Sequence, residues 1–155
     1  MKKRGSKMKP KIPKPLTIEH KELHEKLGEI IQEGGKIGEA AKAVAEVLHP
    51  HFAKEEKYAL PPLGVLRSLI KGKAQAQTKE ILRMSDELKK DLPTMLKEHK
   101  EVVAGLKTLI AEALKEERQD VILFAEKLIL HAETEDEVFY PAAILVGEYL
   151  KRANT

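Results

Sequence analysis

His51-Phe52-Ala53-Lys54-Glu55-Glu56, followed by Pro61, and His131-Ala132-Glu133-Thr134-Glu135-Asp136, followed by Pro141, are one pattern written twice. The offset is 80 residues at every paired position. Upstream of each copy, Glu19-His20-Lys21-Glu22-Leu23 and Glu98-His99-Lys100-Glu101-Val102 match at an offset of 79. His20 precedes His51 by 31 residues, and His99 precedes His131 by 32. Each half is therefore a helix with a lone histidine after an acid, then a helix with His-x-x-x-Glu-acid and a proline beyond it. Two such hairpins predict an all-α, up-down-up-down four-helix bundle with pseudo-twofold symmetry.

Working outward, apolar periodicity and Gly/Pro punctuation place the helices. Thr17 is the expected N-cap of the first, with Leu23, Leu27, Ile30 and Ile31 on one face and Gly34-Gly35 as its stop. The second starts near Ile37, is kinked at Pro50 and runs to Pro61-Pro62. A short connecting helix over Leu63 to Ile70 closes at Gly72. Residues 74–91 read as another helix, and Pro93 is expected to open the next, which runs to about Leu114. The last long helix spans about Arg118 to Phe139, with a short terminal helix after Pro141. Nothing reads as a strand.

Composition bounds the rest. The 155 residues suit one domain with its own core. The absence of cysteine removes disulfides, thiolate catalysis, zinc-thiolate fingers and cysteine-ligated clusters. Aromatic content of 4% without tryptophan suits an Ala/Leu/Ile helical core. No apolar run is long enough for a membrane span and no signal-peptide core is present, so a cytoplasmic location without membrane partners is expected. Seven of the 28 basic residues lie in residues 1–16, which hold no acid, leaving 21 against 25 acids elsewhere. Residues 1–15 read as a basic, disordered arm and 16–155 as the domain. The body shows no basic stripe, and nucleic-acid binding is not expected.

Four residues along a helix bring His51 and Glu55 to one face, and His131 and Glu135 likewise. If these faces point inward, with His20 and His99, the bundle interior receives four imidazoles and two carboxylates. Buried carboxylates need compensation, and a pair of divalent or trivalent cations supplies it. Imidazole and carboxylate suit iron, manganese or zinc, and a carboxylate from each half can bridge two metals. Other templates fit worse: there is no His-Glu-x-x-His, no phosphate-binding loop and no nucleophile elbow. Glu56 and Asp136 are expected to be solvated or to hold an imidazole nitrogen, and Tyr58 and Tyr140 to be wall residues.

These elements, in this order, resemble the hemerythrin-like, or HHE cation-binding, domain over roughly residues 16–145. The resemblance implies a non-haem di-iron site with oxo or hydroxo bridging, zinc or manganese being alternatives. It implies His20, His51, Glu55, His99, His131 and Glu135 as ligands, the two glutamates bridging. It also implies small diatomic or peroxide ligands. Oxygen-carrying hemerythrins add a histidine one turn before the third-helix ligand; here that position is Met95. His24, one turn after His20, is the candidate fifth imidazole, the alternative being an open or water-filled position. The expectation is therefore a metal-binding module for sensing O2, NO or redox species or for handling iron, rather than an oxygen carrier. A di-iron oxidase or peroxidase and a metal-free interaction bundle are the alternatives.

Overall fold

The structure, a computed structural model, describes residues 10–73 and 77–153. Helix α1 (Lys14–Gln32) is followed by α2 (Gly35–Lys54), a π turn (Glu55–Ala59), a 3-10 turn (Pro61–Val65) and α3 (Leu66–Ile70). Then come α4 (Thr78–Lys115), α5 (Gln119–Thr134), a second π turn (Glu135–Phe139) and α6 (Tyr140–Ala153). Helices α1, α2, α4 and α5 form the up-down-up-down bundle that the duplicated pattern predicts. There is no strand among the described residues, and no described helix is long and apolar enough to cross a membrane.

Three boundaries differ from expectation. Helix α1 begins at Lys14, not after Thr17: the Pro13 carbonyl takes the first helical bonds from Leu16 and Thr17, and Pro15 lies in the first turn. Of the expected basic arm, residues 1–9 lie outside the described residues; Pro10 is buried and Ile12 packs on the core. Pro93 does not open a helix but lies within α4. Its ring faces solvent, as does that of Pro50 within α2, so water can reach the carbonyl each leaves unbonded. Burial of Leu88 and Met95 on either side holds α4 continuous. Of the helix expected over 74–91, residues 74–76 lie outside the described residues.

Both π turns start at the glutamate of the repeated motif, the Leu60 amide reaching back to the Glu55 carbonyl and the Tyr140 amide to that of Glu135. Six residues after each glutamate stands a proline, Pro61 or Pro141. Each lacks the N–H for the carbonyl four residues back and crowds it, which favours the wider turn. Gly34 and Gly35, both with positive φ (73° and 65°), make the tight link from α1 to α2.

Two apolar clusters flank the middle of the bundle, and a third, smaller one of Val65, Ile81, Val146 and Leu150 joins α4 to α6. One cluster holds Leu23, Leu27, Leu48, Phe52, Val102, Leu106, Ala125 and Leu128. The other holds Tyr58, Leu60, Met84, Leu88, Met95 and Tyr140, with Leu16 against it. Helices α1 and α4 pass from one cluster to the other, and the segments after α2 and α5 enter the second; the polar layer lies at the crossing, with His20 between Leu16 and Leu23 and His99 between Met95 and Val102.

Helices α4 and α6 meet at a point that admits no side chain at residue 147. A Cβ on Gly147 would lie 2.2 Å from Oγ and 2.5 Å from Cβ of Ser85, whose hydroxyl donates to the Ala143 carbonyl (3.0 Å). Gly147→Ala should cost about 1–3 kcal/mol in urea unfolding, and Ser85→Gly in the same chain should recover part of the loss. An unchanged midpoint would contradict this crossing.

Candidate metal centre

The inward stripe of α1 runs through His20, Leu23, Leu27 and Ile30; α2 ends its stripe on His51, α4 carries His99 mid-length and α5 ends on His131. All four imidazoles are at most 7% exposed, and Glu55 and Glu135 are buried to 0% and 1%. Their Nε2 atoms face each other in two pairs, His51 to His99 at 2.8 Å and His20 to His131 at 3.2 Å.

Each carboxylate spans both pairs. Glu135 sets Oε1 at 3.1 Å from His99 and Oε2 at 3.2 Å from His20 and 3.1 Å from His131. Glu55 sets Oε2 at 3.2 Å from His51 and 3.8 Å from His99, and Oε1 at 3.5 Å from His20. Oε1 of Glu55 is buried without a hydrogen-bond partner. The donor atoms of His51, Glu55, His99 and Glu135 lie within 4.8 Å of one another, as do those of His20, His131 and Glu135. An orphaned buried carboxylate oxygen among converging imidazole nitrogens fits a pair of cations and has no account in an apolar bundle.

The outer nitrogens are held too. Nδ1 of His51 meets Glu98 at 2.7 Å, Nδ1 of His99 meets Asp136 at 2.5 Å and Nδ1 of His131 meets Glu19 at 2.6 Å. Such carboxylates keep the proton on Nδ1 and leave Nε2 to point inward as a ligand. Lys54 in turn holds Glu98 (2.9 Å). The ring of His20 lies flat on Phe52, with centroids 4.3 Å apart at 10°. Tyr140, fully buried, donates to Oε2 of Glu55 and stands 3.0 Å from Nε2 of His51. Burial, then the charges of Glu55 and Glu135, push its pKa up, so the phenol keeps its proton.

Burial alone would strip these imidazoles of a proton, yet the carboxylates outweigh it. His51 and His131 are raised above the ordinary imidazole range, and His99 is pushed up to about 10 by Glu135, Glu55 and Asp136. Burial likewise favours protonated Glu135, but hydrogen bonds from His131, His20 and His99 hold it well below the carboxylate range. In the metal-free protein the His99 charge stabilises the fold in full below the unfolded imidazole pKa of about 6.5. That contribution fades as pH rises towards about 10. A metal must displace this proton. Apparent affinity for a divalent metal, measured against a chromophoric chelator, should therefore keep rising from about pH 6.5 to about pH 9. A plateau reached near neutrality would contradict it.

Of the residues singled out from sequence, six converge here: His20, His51, Glu55, His99, His131 and Glu135. His24 does not. It is exposed, one position past the buried stripe residue Leu23, and its ring stands 4.3 Å from that of exposed His49, outside both donor groups. Met95, at the place of a fifth histidine, is fully buried beside Tyr58 (Sδ to the hydroxyl 3.8 Å). Asp136 holds an imidazole, whereas its counterpart Glu56 is exposed. Sequence reasoning gave no role to Glu19 and Glu98; their signal was their place in the duplicated motif, directly before His20 and His99. Tyr140 had no such signal, since its counterpart at position 60 is a leucine.

A sequence profile of the family described as hemerythrin HHE cation binding domain matches residues 12–143. No curated protein and no solved structure matches the chain.

Proposed function

The chain belongs to the hemerythrin HHE cation-binding domain family, and on that premise we propose that it is a cytoplasmic protein holding two iron ions on His20, His51, His99, His131 and the bridging Glu55 and Glu135. The observation that carries this reading is the bridging disposition of the two glutamates, one oxygen towards each histidine pair, with Oε1 of Glu55 left unpartnered. Imidazole with carboxylate suits iron, with manganese or zinc as competitors. Iron would supply a redox couple and open coordination positions for O2, NO or peroxide.

The protein's own residues set the conditions. Glu98, Asp136 and Glu19 orient three imidazoles, Tyr140 keeps a hydrogen-bond donor inside the site, and the apolar clusters on either side limit water. Clefts of about 330 Å³ and 320 Å³ reach the site's edges, one lined by His99 and Asp136, the other by Glu19 and His131. They support access by small ligands. With Met95 in place of a fifth imidazole, the reading favours sensing of O2, NO or redox state, or iron handling, over oxygen carriage.

A di-iron oxidase or peroxidase is the second reading, favoured by the buried Tyr140 hydroxyl among the ligand atoms. Exposing the iron-loaded protein to O2, NO or peroxide with excess reductant separates the two. A binding or sensing module responds with about one equivalent per centre and stops; sustained consumption over many turnovers favours the enzyme.

A further inference from the structure

We propose that His24 and His49, with Glu46, form a separate metal site: an exchangeable docking position for one divalent transition-metal ion on the seam between α1 and α2. It lies outside both donor groups of the buried centre and does not depend on the two-metal reading above.

The chain has six histidines, and four of them line the centre. The remaining two come from different helices and stand against each other, with ring centroids 4.3 Å apart at 60°. Neighbouring imidazoles inside the centre are no closer, at 4.5 Å and 5.0 Å. Both are exposed, and each stands one position past a buried residue of its helix, Leu23 on α1 and Leu48 on α2. That step carries the two rings off the inward stripes to the flanks where the helices meet. Gly28, one turn beyond His24, leaves the solvent side open: a Cβ there would meet no atom within 4 Å.

Glu46 supplies oxygen. It lies three residues before His49, is exposed, and has no ion-pair partner among the described residues. Residues three apart on a helix are neighbours, so its carboxylate can reach the His49 ring. Pro50 frees a second oxygen, since without an N–H it leaves the Glu46 carbonyl lacking its helical bond.

Two imidazoles and a carboxylate are donors that divalent ions of the iron-to-zinc series take, water completing the shell. Gathering exposed side chains around an ion costs conformational entropy that the enclosed centre has already met, so the ion here exchanges with the medium. The Phe52 ring, 4.3 Å from that of His20 and 6.5 Å from that of His24, sets an apolar plate beside both and keeps this ion apart from the buried layer.

The test is calorimetric titration of the metal-free Glu55→Gln/Glu135→Gln protein with Zn(II), the imidazole resonances being followed by NMR. One equivalent should bind, shifting the resonances of His24 and His49 and leaving those of His99 and His131. His24→Asn or His49→Asn should weaken it by at least about tenfold, since losing a ligand costs no less than losing a ligand's outer partner. Glu46→Gln should weaken it by less. In the wild-type chain the same ion should appear as an extra equivalent, lost on desalting and abolished by His24→Asn while the metal of the centre stays. No zinc bound by the double variant and no extra equivalent in the wild type would overturn the site, as would zinc binding indifferent to His24→Asn. A wild-type chain whose only zinc is lost with His24→Asn would uphold it and overturn the two-metal reading instead.

Discussion

Replacing Glu55 and Glu135 together by glutamine empties the centre: metal content falls from about two ions per chain to near none. Each glutamate directs one oxygen to each histidine pair, so losing both charges removes the only carboxylates common to the two positions among the described residues. What remains is four imidazoles in two opposed pairs, too few donors and no negative charge to offset two cations in a buried layer. The fold itself should survive. Glutamine at 55 still accepts from the Tyr140 hydroxyl, and it removes a buried, unpartnered carboxylate oxygen. Glu55→Gln alone should thus leave the metal-free protein folded, its stability in urea unfolding changed by no more than about 1–3 kcal/mol, because relief of the buried oxygen offsets the charge lost opposite His51, His99 and His131. Retention of metal by the double variant would show that the ligands lie elsewhere. A collapse of the metal-free single variant would show that Glu55 is a structural residue.

The second large effect is on thermal stability. A ligand that binds only the folded state stabilises it by RT ln(1 + [L]/Kd), about 4 kcal/mol at a thousandfold excess over Kd. In a domain of this length each kcal/mol moves the melting temperature by about 2–4 °C, so chelation should lower Tm by about 10 °C. The charge balance of the site says why. With metal removed, the layer depends on protons held by His51, His99 and His131 against Glu135 and Glu55, and the Glu55 oxygen stays unpaired. Differential scanning calorimetry with and without chelator measures the shift. The double glutamine variant should melt at one temperature in both buffers. A wild-type protein indifferent to chelation is what a metal-free interaction bundle predicts.

The two hairpins, the inward faces and the six converging side chains were legible in the sequence because duplication separates a ligand pattern from chance helix polarity. His51 and Glu55 alone are ordinary i, i+4 neighbours; the same pair again at His131 and Glu135 is not. What periodicity cannot supply is tertiary context. Pro93 looks like a helix start, but only the burial of Leu88 and Met95 in one cluster shows why α4 runs through it. Thr17 has capping chemistry, yet Pro13 and Pro15 start α1 a turn earlier. His24 lies a helical turn from His20, but one step past Leu23, and that step takes it to the surface. The contacts of Glu98 with His51 and of Glu19 with His131 join helices 47 and 112 residues apart, a pairing that spacing along one helix does not reveal. Tyr140 reaches the site because the π turn after Glu135 carries it back over the bundle.

Metal content per chain tests the central claim most directly, measured on untagged protein purified anaerobically and again after reconstitution with ferrous iron. The account predicts close to two irons per chain. Less than about a tenth of an ion per chain, unrestored by ferrous iron, would contradict it, leaving a helical bundle whose histidines and glutamates serve some other end.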